Sequence, residues 1–174
     1  VERLHHLENL THNMLRFVKG EAAQIESINI TDFLNEVKQV IEPQTQQYDL
    51  QLEVKDHSNG IDFMIDHEAL NGAVINLLEN AIQASHSGDQ ITLACSVDEE
   101  AILLSVQDTG SGIEFAIQER IFEPFYTTRS EGTGLGLAIV RGIIQSMGGA
   151  VQVNSIPGTG SEFVIKLPNQ SGEA

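Results

Sequence analysis

Cysteine, tryptophan and basic residues are scarce in this 174-residue sequence. It has no tryptophan, one cysteine, and nine lysines and arginines against 25 aspartates and glutamates. A single cysteine, Cys95, excludes a disulfide within the chain and fits a reducing compartment, so we expect a cytoplasmic location. It lies on the apolar side of an alternating pattern at 91–97, which predicts a buried thiol. No apolar run approaches the ~18 residues that a membrane span needs.

The shortage of basic residues also limits the ligands. The formal net charge is −16, and such a surface repels nucleic-acid phosphates, so we expect no nucleic-acid partner. A smaller phosphate-bearing ligand would need local cations, and a divalent metal would have to share the neutralisation. The sequence begins at Val1 without a methionine, so we expect it to be part of a longer chain whose membrane anchoring stays open.

The apolar pattern predicts an α+β fold. We predict helices at 1–20, 31–47, 66–85 and 134–147, with Thr31 and Asp66 as N-caps. We predict strands at 27–30, 50–54, 61–65, 90–97, 101–107, 150–155 and 161–167. This order favours a two-layer sandwich, in which about three helices pack on one face of a mixed, largely antiparallel sheet, preceded by one bundle-type helix. The long loop at 108–133 indicates a functional segment.

Two asparagines stand out on the helix predicted at 66–85. Asn76 and Asn80 lie four residues apart and point together from the edge of its apolar stripe. Amides near a core need hydrogen-bond partners, so the pair either bond each other or the backbone, or serve a ligand. An asparagine carbonyl oxygen is a suitable neutral ligand for Mg²⁺.

Two glycine-rich segments indicate binding of an anionic, flat ligand. Asp108-Thr109-Gly110-Ser111-Gly112 follows a strand, and its carboxylate would accept from an amine while the glycines allow close backbone approach; an ordinary Asp turn is the alternative. The alternating glycines of 132–136 open into a helix, where bare amides form an anion site. Neither segment has the spacing of a Rossmann motif or a P-loop. Gly158-Thr159-Gly160 alone predicts a hairpin turn.

Taken in order, these segments resemble the sequence motifs of histidine-kinase catalytic domains, within the wider family of gyrase-type and heat-shock-chaperone ATPases. The resemblance covers residues 21–168. Its N box corresponds to 76–81, its glycine boxes to 108–112, 132–136 and 158–160, and its phenylalanine box to 121–125. The run at 121–129 also resembles the nitrogen- and flagellar-regulation branch of sensor kinases.

The resemblance implies ATP and Mg²⁺ as ligands and assigns roles to residues. Asn80 would ligate the metal, and Asn76 would position the metal or its waters. Asp108 would read the adenine amine, with Gly110 and Gly112 letting backbone approach the base.

Further roles fall on the loop and its glycines. The second glycine box would wrap the phosphates through Gly132, Thr133, Gly134, Leu135 and Gly136. The last box would add Thr159 to the nucleotide site, while Phe122 and Phe125 would steer the lid. Arg129 would stand near the γ-phosphate, and it is a better candidate than Arg120 or Arg141 because of its place in the loop.

The resemblance also implies partners. Residues 1–20 resemble the second helix of a dimerisation and histidine-phosphotransfer hairpin, followed by the catalytic domain at 21–168 and a tail at 169–174. None of His5, His6 and His12 precedes the expected Glu-Leu-Arg-x-Pro string, so the phosphoacceptor would lie on a first helix outside this sequence. The partners would be that hairpin, a response regulator, and a second copy in a homodimer.

Three other functions compete with the kinase. A water-using ATPase of the gyrase or mismatch-repair type would usually carry a glutamate at the position of Asn76, as a base for water. A serine kinase opposing a sigma factor would generally lack the phenylalanine box. A non-catalytic docking module would not need the complete set of boxes.

Overall fold

The computed structural model describes residues 23–130 and 132–169. The helix predicted at 1–20 and most of the predicted tail lie outside these residues. In chain order the strands are β1 Ile25–Asn29, β2 Gln51–His57, β3 Asp62–Asp66, β4 Gln90–Val97, β5 Ala101–Asp108, β6 Ala150–Ile156 and β7 Gly160–Pro168. The helices are α1 Ile30–Gln47, α2 His67–Ala84 and α3 Gly136–Ser146.

Five strands form the central sheet in the order β2-β4-β5-β7-β6. β2 and β4 run parallel, and the other three pairs are antiparallel. β1 and β3 form a separate antiparallel ribbon, so the strands predicted at 50–54 and 61–65 belong to different sheets. The predicted α+β fold with a mixed, largely antiparallel sheet is confirmed.

The core lies between the helices and one face of the central sheet. Alternate residues of β4 point into it, among them Ile91, Leu93 and Cys95, each at most 1% exposed. Cys95 is therefore the buried thiol that the alternation predicts, and burial raises its pKa to about 12. Within residues 23–130 and 132–169, no helix is long and apolar enough to cross a membrane.

The start of α1 differs from the prediction. Asn29, not Thr31, is the N-cap, and its side chain accepts from the Asp32 backbone N–H. The Thr31 hydroxyl instead donates to the Asp56 carboxylate at 2.5 Å, which links α1 to the end of β2. Phe33 and Ile41 are buried on the core side of α1, whereas Val40 is 50% exposed.

The two helices that frame the candidate site begin close to their predicted positions. Asp66 caps α2, accepting from the Ala69 N–H at 3.0 Å, as predicted. Helix α3 starts at Gly136, two residues later than predicted. Gly134 has φ +67°, a left-handed conformation that cannot continue into a right-handed helix.

Candidate functional site

Helix α2 carries two side-chain amides, and that of Asn76 faces the start of α3. Asn76 is 7% exposed and Asn80 is half-buried. The space at Gly136 where a Cβ would stand lies 3.4 Å from Asn76 Oδ1, so the amide faces the first residue of α3. Among the residues that the structure describes, neither amide has a hydrogen-bond partner. The purely structural interpretation, in which the two amides bond each other or backbone, therefore has no support.

The first turn of α3 has backbone donors that no side chain caps. Leu135 stands at the N-cap position and supplies no capping side chain. Thr133 Oγ1 accepts from the Leu135 N–H at 3.3 Å, one residue before the helix begins. The backbone N–H groups at the start of a helix have no partner inside the helix and carry partial positive charge. This end of α3 can therefore bind an anion.

Asp108 is the last residue of β5 and is 3% exposed. Its Oδ1 accepts from the Gly110 N–H at 2.9 Å. Burial raises the pKa of the Asp108 carboxyl, and the Gly110 and Ser161 N–H groups and the positive charge of Arg129 offset this only in part. A buried carboxylate held in this way can accept a further hydrogen bond from an amine of a ligand.

The glycines after Asp108 are required by the protein's own backbone. A Cβ at Gly110 would overlap the Ala84 carbonyl, and the Ser111 N–H donates to that same carbonyl at 3.0 Å. Gly112 has φ +68°, and a Cβ there would overlap the Ile156 carbonyl. Close backbone packing against the end of α2 and the β6–β7 turn thus fixes the segment that carries Asp108.

The turn between β6 and β7 packs against the same segment. The Gly158 N–H donates to the Ser111 carbonyl at 2.8 Å, and a Cβ at Gly160 would overlap the Asp108 carbonyl. Thr159 is exposed at the tip of this hairpin, and its N–H donates to the Ile156 carbonyl at 3.0 Å. The structure thus brings the turn containing Thr159 to Asp108, as a hairpin turn that also supports the site.

The phenylalanine box contributes one buried and one exposed ring. Phe122 is 8% exposed and packs edge to face on Phe163, with ring centroids 6.2 Å apart. Phe125 is 74% exposed and adopts φ +67°, which is unusual for a residue with a side chain. Phe122 therefore anchors the loop in the core, whereas the Phe125 ring is exposed to solvent.

The second half of the loop folds back on the glycines before α3. The Phe125 N–H donates to the Gly134 carbonyl at 2.9 Å, and the Gly132 N–H donates to the Arg129 carbonyl at 3.2 Å. A Cβ at Gly132 would overlap the Thr127 hydroxyl, and one at Gly134 would overlap the Phe125 backbone. We call residues 123–130 and 132–134 the lid. These glycines allow the lid to fold back closely on itself.

Arg129 crosses from the lid to α2. Its guanidinium donates to the Gln83 side-chain oxygen and, at 3.5 Å, to the backbone carbonyl of Asn80. Sequence reasoning missed Gln83, although its position three residues after Asn80 places it on the same face of α2. The lid arginine thus reaches the end of the site that carries the paired amides.

The neighbouring arginines are engaged elsewhere. Arg120 stacks on the Tyr126 ring, 4.5 Å from its centroid, and pairs with Glu123 at 3.6 Å. Arg141 lies over the Phe122 ring at 6.0 Å. The geometry therefore favours Arg129 over both as the cation for an anionic ligand.

The protein oxygens at the site suit a metal ion that binds together with a phosphate-bearing ligand. Across residues 23–130 and 132–169 there is no cluster of three or more histidine, cysteine, aspartate or glutamate side chains that could hold a metal ion. Mg²⁺ retains waters and is commonly bound through a few protein oxygens together with substrate phosphates. The Asn80 amide oxygen fits this partial role.

Comparison with known proteins identifies the family. The sequence profile of the histidine kinase-, DNA gyrase B- and HSP90-like ATPases matches residues 65–171, from the end of β3 through β7. The chain belongs to this ATPase family. The family match includes the paired amides of α2, Asp108, the lid and the start of α3, which are the parts of the site described above.

The similar curated proteins are sensor kinases. The sensor histidine kinase ZraS of Escherichia coli strain K12 is 32% identical over 162 residues, covering 93% of this chain and 35% of that protein. The alginate biosynthesis sensor protein KinB of Pseudomonas aeruginosa is 34% identical over 175 residues, covering 96% of this chain and 29% of KinB. This chain therefore spans about a third of the length of these ATPase-family relatives.

Solved structures of histidine kinases share the fold. The nucleotide-free catalytic domain of histidine kinase ThkA superposes with a TM-score of 0.77 at 26% identity, covering 84% of this chain and 98% of that domain. Full-length ShkA in complex with AMPPNP gives a TM-score of 0.83 at 29% identity, covering 97% of this chain and 37% of ShkA. The same ATPase fold thus occurs in a kinase that binds an ATP analogue.

Proposed function

We propose that this chain is the catalytic module of a two-component sensor histidine kinase, which binds Mg-ATP and donates the γ-phosphoryl group to a histidine. The observation that carries the proposal is the pair of amides, Asn76 and Asn80, which have no hydrogen-bond partner among the described residues, with Asn76 facing the start of α3. No buried side-chain atom of the described residues lacks a partner, so these amides are open to solvent and available to a ligand.

The adenine would bind at the Asp108 end. Its exocyclic amine would donate to the carboxylate, which the backbone packing around Gly110 and Gly112 holds in place. The turn with Thr159 would border this end of the nucleotide. Because the fold itself requires these glycines, the base would meet a pocket that is formed before it binds.

The phosphates would bind between α2 and α3. The open N–H groups at the start of α3, together with Gly132, Thr133, Gly134, Leu135 and Gly136, would hold the phosphate oxygens. Asn80 would hold Mg²⁺, Asn76 would orient its waters, and Arg129 would offset the negative charge. When bound, the metal would neutralise charge on the phosphates.

Phosphoryl transfer needs positioning and charge neutralisation more than covalent help from the protein. The bond between the γ-phosphorus and the β,γ-bridging oxygen would break, a bond to an imidazole nitrogen would form, and ADP would leave. The described part of the chain would hold the ATP. The imidazole would come from a helical hairpin in the longer protein. An aspartate of a response regulator would then receive the phosphoryl group from that histidine.

Asn76 argues against the water-using alternative. A hydrolase of this family needs a base to activate water, and a neutral amide cannot accept a proton at neutral pH. General-base assistance is typically worth about 10²–10⁴-fold in rate. An amide at this position is therefore suited to a protein in which bound ATP stays intact until a phosphoryl acceptor binds.

The wider organisation follows the same proposal. Residues 1–20 would be the second helix of the hairpin, 21–168 the ATP-binding domain and 169–174 a tail, with a homodimer formed through the hairpin. A module that uses ATP and keeps one buried thiol suits the cytoplasm. Phe122 would anchor the lid and Phe125 would contact what lies outside it.

A titration with and without metal tests the nucleotide site. We expect the wild-type chain to bind ATP more tightly with Mg²⁺ than with a chelator, and Asn80→Ala to lose that difference while keeping its circular dichroism spectrum. Asn71→Ala is the matched control, because Asn71 lies on the same helix but donates to Glu36 away from the site. Equal affinity of the wild type with Mg²⁺ and with chelator would contradict the role of Asn80.

A further inference from the structure

The contact between Arg129 and Gln83 joins the lid to α2 across 46 residues of sequence. The backbone of Arg129 is fixed as well, because Thr127 Oγ1 accepts from its N–H at 3.1 Å and donates to its carbonyl at 3.3 Å. Both ends of a long and flexible side chain are therefore held. Arginine carries about 2 kcal/mol of rotamer entropy, so a free lid arginine would lose much of it on binding a ligand.

The contact also places the guanidinium beside the proposed metal end of the site. Gln83 follows Asn80 by three residues on α2, and the second guanidinium nitrogen donates to the backbone carbonyl of Asn80 at 3.5 Å. A positive charge at this position faces a ligand in an otherwise acidic chain.

The Gln83 side-chain oxygen that accepts from Arg129 is neutral, so it does not cancel the charge of the guanidinium. A glutamate at this position would hold the same guanidinium but cancel its charge, and it would add a negative charge near the phosphates. A glutamine amide oxygen orients the guanidinium and leaves its full charge for the ligand. Gln83 is itself exposed, so the core does not require it.

We propose that Gln83 is a positioning residue that holds the Arg129 guanidinium ready for the terminal phosphate of ATP. This inference rests on the proposed function of the same site. It adds a residue outside the glycine, phenylalanine and N-box motifs, acting through Arg129 rather than touching the nucleotide.

Calorimetric titrations with Mg-ATP and Mg-ADP test the proposal. Gln83→Met keeps the side-chain length and removes the acceptor. We expect about a two- to tenfold loss of ATP affinity, the effect of having to order one long side chain on binding, and a smaller loss for ADP. Gln83→Glu should weaken ATP binding further, because it keeps the contact but cancels the charge. Gln39→Met, at an exposed position on α1, is the control.

A double-mutant cycle with Arg129→Met separates positioning from a general structural effect. Gln83→Met should weaken ATP binding when Arg129 is present and leave it unchanged when Arg129 is methionine. An equal loss in both backgrounds would overturn the inference, as would wild-type affinity or tighter ATP binding in Gln83→Met. If the wild-type chain bound neither nucleotide, the proposed function itself would fall, and the inference with it.

Discussion

The two ends of the site are built in different ways. At the Asp108 end, Gly110, Gly112 and Gly160 let three backbone segments pack directly against one another. At the lid end, the close approach is within the lid itself, between Gly134 and Phe125, and hydrogen bonds from Arg129 join the lid to α2. The first end is thus packed against α2 and the β6–β7 turn, whereas the lid is joined to α2 by side-chain groups that a ligand can displace or recruit.

This difference suits a nucleotide whose two ends need different treatment. A flat base is recognised by a preformed pocket, which lowers the ordering that accompanies binding. A phosphate group that must later leave needs a cover that can open. The glycines of the first and last boxes thus serve mainly the fold, and those of the second box serve the return of the lid.

The largest effect is expected where the Asp108 end is most crowded. Gly160→Ala should lower the free energy of unfolding by about 3 kcal/mol or more, because a Cβ would overlap the Asp108 carbonyl at φ +132°. Gly158→Ala is the control in the same turn, since φ is also positive there, at +76°, but no atom lies within 4 Å. Urea denaturation followed by circular dichroism measures both.

Equal losses at the two positions would show that backbone strain, not crowding, explains the glycines. In that case the contrast between the two ends of the site would lose its basis.

Asp108→Asn should separate binding from stability. Losing a charged hydrogen bond is worth about 1.5–3 kcal/mol, so adenine-nucleotide affinity should fall roughly ten- to a hundredfold in calorimetry. The control is Asp98→Asn, which makes the same change in the exposed turn before β5. Unchanged affinity in Asp108→Asn would exclude the carboxylate from base recognition.

The stability of the same variant follows from the sign of the pKa shift. Burial raises the folded-state pKa of Asp108, so the folded protein binds this proton more tightly than the unfolded chain does. The resulting stabilisation is full at low pH and is lost as pH rises through the raised pKa. At pH 7 the ionised carboxylate opposes folding, so Asp108→Asn should be at least as stable as wild type in urea denaturation. A clear loss of stability at pH 7 would contradict this assignment.

Hydrogen exchange should show the smallest but most local contrast. Amides of 123–130 and 132–134 should exchange faster than those of the Asp108 end in the free chain, because most of these lid residues are exposed, and should slow on addition of a non-hydrolysable ATP analogue. Those of Ser111 and Ile113 should be slow throughout, because they donate to the Ala84 carbonyl and to Ser155 Oγ. Lid amides that exchanged equally fast with and without the analogue would count against closure over the nucleotide.

The parts of the fold that were predictable from the sequence are those with a strong local signal. Asp66 caps α2, Cys95 is buried by strand alternation, and the α+β order is read from periodicity. The cap of α1 was wrong because Asn29 and Thr31 are both good caps, and Thr31 is drawn to Asp56 by a tertiary contact.

The site was predictable as a list of residues but not as an arrangement. Periodicity placed Asn76 and Asn80 together, yet it could not tell whether they bonded each other. The loop was expected to be irregular throughout, but Phe122 anchors its middle in the core. The contact of Arg129 with Gln83 depends on how the lid returns to α2, which no local pattern encodes.

The most direct test of the kinase proposal is the fate of the γ-phosphate of bound ATP. Incubated with Mg²⁺ and labelled ATP, the 174-residue chain should remain unlabelled and release phosphate only slowly, because Asn76 cannot activate water. Adding a phosphotransfer hairpin from the longer protein should give an acid-labile, alkali-stable phosphate on that hairpin. Label on His5, His6 or His12 would contradict the interpretation of residues 1–20. Rapid release without an acceptor, abolished by Asn76→Ala, would replace the kinase with a water-using ATPase.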